Sequence, residues 1–187
     1  MITHETSTVL ATKQWLSEII ISLNFCPFAK KEFVNETIFY CESNQNQVKP
    51  ALHELIEQCR FLQKHPEIET TLIIYNDGFR GFERYLDLVD YGTELLADSG
   101  FEGVFQLATM HPDYCFEGEE YDSASNYTNR SPYPILHILR EESLARVLSV
   151  YNEPERIPEN NIVLAKEKGT NFFKQILSNI MLQHQHK

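Results

Sequence analysis

Two periods organise the apolar residues of this chain. Leu16, Ile19, Ile20 and Leu23 stand at helical i, i+3, i+4, i+7 spacing within residues 8–23, which predicts an amphipathic helix; Ser7 or Thr8 is placed to cap it. The same period runs through Leu52, Leu55, Ile56, Cys59 and Leu62, and again through Phe82, Tyr85, Leu86, Val89 and Leu96, where Gly100 is a suitable stop. "EESLARVLSVY" from Glu141 reads as a further helix, and "GTNFFKQILSNIMLQ" as the last one, with Phe173, Ile176, Leu177, Ile180 and Met181 on one face. Between the helices lie short runs of β-branched and aromatic residues at 37–41, 70–75, 103–108 and 134–139, which predict strands. "YNEPERIPENN" (151–161) reads as an internal loop. The alternation implies one α/β domain over residues 1–187, a mixed and mostly parallel sheet of about four strands flanked by helices. Flexible ends are expected at about 1–7 and 183–187.

Parallel strands at 70–75 and 103–108 would share one rim at their carboxyl ends, bringing "YNDG" (75–78) beside "TMHPDY" (109–114), where open α/β sheets bind ligands. An antiparallel return at 134–139 would start from that rim and set Asn129, Arg130 and Ser131 near His111.

Composition narrows the function classes. The 187 residues carry 16 Lys+Arg against 27 Asp+Glu, a net charge of −11. Such a field repels phosphate backbones, and the chain has no basic stripe to offset it, so nucleic acid is not the expected partner. No apolar run reaches the roughly 20 residues of a membrane span, and the polar start "MITHETSTVLATKQW" has no secretory pattern. The expectation is a cytoplasmic protein with no membrane partner. Its 4 cysteines lack C-x-x-C spacing, so free thiols are expected.

The candidate chemistry falls in three places. In "NFCPFAKKEF", Pro27 suits the first turn of a helix and would leave Cys26 at its N-terminus. Backbone N–H groups there favour a thiolate, making Cys26 a candidate nucleophile or redox group; a small apolar residue packed between Phe25 and Phe28 is the alternative. His111 follows a predicted strand and precedes Pro112, a position from which imidazole can act as acid or base or simply tie down its own loop. "SNYTNRSPYPILHILRE" (125–141) gathers Asn126, Asn129, Arg130 and Ser131 ahead of two stiffening prolines. The guanidinium fork of Arg130 suits a carboxylate or phosphate; equally, it can bond within its own loop. His137 alternates with Ile135 and Leu139, while Arg140 shares the other side with Leu136 and Ile138. Tyr114, His137 and Arg140 complete the expected ligand-facing set. No cofactor is indicated. His111, Asp113 and Cys115 match no zinc spacing, so no metal site is expected.

The segments "NFCPFAK", "GVFQLATMHPDYCF" and "NYTNRSPYPILHILREES" resemble a bacterial family of unknown role, the domain of unknown function number 1415. The resemblance runs from about Trp15 to the last helix and departs from the family pattern at "IIYND" and at Cys115. It implies a small single-domain protein and supplies no mechanism. The residues alone point to an enzyme with a rim pocket for a small anionic, polar or carbonyl-containing molecule, with His111 as acid or base and Cys26 as nucleophile. A non-catalytic ligand-binding or protein-interaction module and a thiol-dependent redox protein remain as alternatives. Nothing in the sequence fixes an oligomeric state.

Overall fold

The structure, a computed structural model, describes residues 5–149 and 153–184. Helix α1 (Ser7–Trp15) is capped by the Thr6 hydroxyl, which accepts the Val9 N–H at 3.3 Å. It runs on into a π-helical segment, Leu16–Ile21. The short α2 (Ala29–Val34) leads to β1 (Ile38–Ser43), α3 (Val48–Lys64), β2 (Thr70–Tyr75), α4 (Phe82–Asp98) and β3 (Phe105–Met110). A long loop containing a 3-10 turn (Ala124–Thr128) precedes β4 (Ile135–Arg140), which passes directly into α5 (Glu141–Leu148). A second 3-10 turn, α6 (Ile157–Lys168) and α7 (Thr170–His184) complete the fold. The expected flexible ends lie mostly outside the described residues, although Thr6 and Gln183 both have structured roles.

The sheet order is β1-β2-β4-β3. Only β1 and β2 are parallel; β4 runs antiparallel to both β2 and β3. The expectation of a mostly parallel sheet is therefore corrected to a mixed one. The reason lies in the connection: the chain leaves β3 at one rim and re-enters the sheet from that same rim without a crossover helix, so β4 has to run backwards. It fills the gap between β2 and β3, which run in the same direction without being neighbours.

Helices cover both faces. On one, Leu55, Cys59 and Leu62 of α3 and Tyr85, Leu88 and Leu96 of α4 bury against Ile73, Leu136 and Ile138. On the other, Trp15, Leu16, Ile19 and Ile20 pack with Phe173 and Ile180 against Leu72, Ile74 and Ile135. α4 ends as its sequence predicted: Gly100 takes φ +78°, its N–H bonds the Ala97 carbonyl, and the Phe101 N–H bonds that of Leu96, closing a Schellman motif. The stretch 151–161 departs from expectation. Residues 151 and 152 lie outside the described residues, but Pro154–Arg156 form a 3-10 turn and α6 starts at Ile157. Pro158 falls in the first helical turn, where a missing N–H costs nothing. The helix is held by tertiary contacts, among them the Asn161 amide donating to the Phe25 carbonyl at 2.7 Å.

Candidate functional site

The loop joining β3 to β4 does gather at the rim with "YNDGF". His111 N–H donates to the Asn129 carbonyl at 3.1 Å, and the Asn129 amide donates to the Thr109 carbonyl at 3.0 Å. His111 itself is fully buried. Its Nδ1 accepts the Asp113 N–H at 2.9 Å, so Nε2 carries the proton and donates to the Phe79 carbonyl at 2.9 Å. Phe79 itself takes φ +57°. Burial lowers the His111 pKa despite the carbonyl bond, which acts the other way. Both ring nitrogens of a neutral imidazole are thus occupied, and the ring packs with Phe82 and Tyr85 of the α4 layer.

Arg130 is equally enclosed, 3% exposed. Its Nε donates to the Tyr114 carbonyl at 3.0 Å and an Nη to the Tyr121 carbonyl at 2.7 Å. The guanidinium lies between the rings of Tyr121 and Tyr127, 4.5 and 4.7 Å from their centroids. Asn126 clasps the same loop, accepting from Phe116 N–H and donating to the carbonyls of Glu120 and Tyr121. Ser131 donates to the Tyr133 carbonyl, and Tyr114 packs on Phe82 and Phe116. Arg140 lies at the opposite rim, where it donates to the carbonyls of Leu62, His65 and Ile68 and closes the end of α3. Its guanidinium faces the Phe105 ring. The donors of both arginines bond backbone carbonyls.

Cys26 belongs to the other face of the sheet and does not join His111 and Arg130. It lines two adjoining cavities, of about 190 and 70 Å³, between the sheet, the Phe25–Phe28 segment and α5. The compartments share the apolar walls Leu16, Phe28, Leu139 and Leu144. Cys26 and His137 are the polar side chains that line both. The larger compartment has no charged residue in its lining; Thr128 and Asn129 are its other polar members. The smaller one carries Lys31, Glu32, Glu69, Arg140 and Arg146.

The helical start expected after Cys26 is delayed to Ala29, whose N–H donates to the Cys26 carbonyl at 3.2 Å. The backbone N–H groups of Phe28 and Ala29 act to lower the thiol pKa but do not overcome burial, which raises it. The π-helical segment has a part here, since the Phe25 N–H bonds the Ile20 carbonyl at 2.9 Å and turns the chain inward. Burial also pulls His137 down to about 4. Its Nε2 is 2.7 Å from the Thr70 hydroxyl, which is 2.6 Å from the Ile138 carbonyl. The hydroxyl has one proton and the carbonyl can only accept, so that proton goes to Ile138. Thr70 therefore accepts from Nε2–H, and the Nδ1 lone pair is left without a hydrogen-bond partner among the described residues. Periodicity placed His137 and Arg140 on opposite sides of their strand, as found. It gave no sign of Thr70, or that His137 and Cys26 wall the same space.

No group of three or more candidate metal-ligating side chains occurs among the described residues, and no described helix is long and apolar enough to cross a membrane. The family model described as "Protein of unknown function (DUF1415)" matches residues 7–175, and the chain belongs to that family. No curated protein and no solved structure matches it.

Proposed function

We propose that this member of the DUF1415 family is a small-molecule enzyme that admits an uncharged, carbonyl-containing ligand to the Cys26–His137 cavity. The supporting observation is that these two side chains line both compartments of an otherwise mostly apolar space. About 190 Å³ suits a molecule somewhat larger than benzene, which fills a cavity of roughly 150 Å³. The anionic ligand expected from Arg130 has less support, because that guanidinium bonds its own loop and the larger compartment offers no counter-charge for a buried anion.

The chemistry follows from the protonation states. His137 is neutral at pH 7, and its free Nδ1 is the acceptor for a thiol proton. The sulfur lone pair then forms a bond to the carbonyl carbon as the C=O π pair moves to oxygen. The proton passes from Nδ1 to that oxygen, giving a hemithioacetal with every atom accounted for. In a redox reading the partner thiol would come from another molecule, since Cys41, Cys59 and Cys115 do not line the cavity.

An α-bromoketone such as bromoacetone is a neutral probe of this reading. Peptide mapping should show Cys26 alkylated first, with iodoacetate much slower. His137→Gln should slow the bromoacetone reaction by about tenfold or more. Equal, slow alkylation of all the cysteines by both reagents would remove the catalytic assignment.

A further inference from the structure

We infer that the free edge of β1 is a docking surface for an extended, basic peptide segment of a partner protein. β1 is the outer strand of the sheet and pairs with β2 alone. The Thr37 carbonyl accepts the Glu69 N–H at 2.8 Å, and the Ser43 carbonyl accepts the Asn76 N–H at 3.2 Å. Residues 37, 39, 41 and 43 therefore turn their backbone groups toward β2. By strand alternation, those of Ile38, Tyr40 and Glu42 point away from the sheet. They have no backbone partner among the described residues.

The side chains of those same three residues line a groove of about 620 Å³ between β1 and α1. Its walls combine apolar surface from Val9 and Phe33 with the carboxylates of Glu5, Glu36 and Glu42. Lys13, the one cation among the described residues that line the groove, is paired with Glu5 and lies over the Tyr40 ring. An added strand would complete the ladder on Ile38, Tyr40 and Glu42 and lay alternate side chains in the groove. The excess of carboxylates selects lysine or arginine among those side chains. A second copy is the wrong occupant: it would bring another acidic edge from a chain that also carries a net charge of −11. Edge strands are commonly blunted by proline, bulges or lysine, and residues 38–43 have none of these.

The test uses the full chain and a labelled eight-residue peptide alternating lysine and valine, with a glutamate–valine peptide as control. Hydrogen exchange read residue by residue should show added protection at the amides of Ile38, Tyr40 and Glu42. Glu36→Lys combined with Glu42→Lys should weaken binding by about tenfold or more. Glu42→Pro removes an outward N–H at an edge where proline is tolerated; it should keep the wild-type melt and lose the protection. Absence of binding, protection spread over the acidic surface instead of the edge, or dimerisation through β1 in sedimentation would each overturn the proposal.

Discussion

The β3–β4 loop and the Cys26–His137 cavity both hold polar side chains inside the protein, and they differ in what their hydrogen-bonding groups have left to give. In the loop, Arg130, Asn126 and His111 bond backbone at close range. Long irregular segments leave carbonyls and N–H groups without ladder partners, and side chains that satisfy them are structural. In the cavity, Cys26 and His137 line unfilled space between apolar walls, and the His137 Nδ1 has no hydrogen-bond partner among the described residues. A donor-rich segment is therefore a poor pointer to a ligand site until its partners are known. An unoccupied group beside a void is a better one.

The largest expected effect falls on the loop. Arg130→Met removes the charged donor from the Tyr114 and Tyr121 carbonyls, leaving the latter only the Asn126 amide, and takes away the cation between two tyrosine rings. It should cost about 3 kcal/mol or more and lower the melting temperature by roughly 6–12 °C. A wild-type melt in calorimetry, with phosphate stabilising the parent but not the variant, would return Arg130 to ligand binding and reverse the contrast.

A smaller effect follows from His137. Its pKa falls from 6.5 in the unfolded chain to about 4 in the folded protein. The unfolded chain thus takes up this proton first, so the stability contribution is intact above pH 6.5 and lost as pH falls toward 4. Between pH 7 and pH 4, denaturant titrations should show the parent losing about 2–3 kcal/mol more than His137→Gln. Parallel pH profiles would mean that His137 is solvated, and the cavity would lose its dry character.

The smallest effect should come from Cys26→Ala. A partly buried side chain beside an existing cavity has few contacts to lose, so the change in unfolding free energy should stay within about 1 kcal/mol. Denaturant melts check this directly. A loss several times larger would make Cys26 a packing residue and erase the difference between the two regions.

Local pattern carried much of the fold. The strands at 70–75 and 134–139 were legible from runs of β-branched residues, and the structure shifts the second by one position. Alternation also separated His137 from Arg140, because successive side chains of a strand must point to opposite faces. α6 was missed because its apolar residues have little periodicity and it is held by contacts such as that between Asn161 and Phe25. The candidate site was legible only in its members. Cys26 and His137 could each be singled out, but their company could not.

Sequence by itself determined the helical and strand periods, the excess of acid over base, and which residues carry reactive groups. These depend on near neighbours along the chain and on composition. Tertiary structure alone decided that β4 would enter between β2 and β3, that Arg130 would meet carbonyls instead of an anion, and that Cys26 would share a cavity with His137. The physical reason is that hydrogen-bond partners and cavity walls come from segments far apart in the chain. No local period records which face of the sheet a loop will cover, or which polar atoms will be left without a partner once it does.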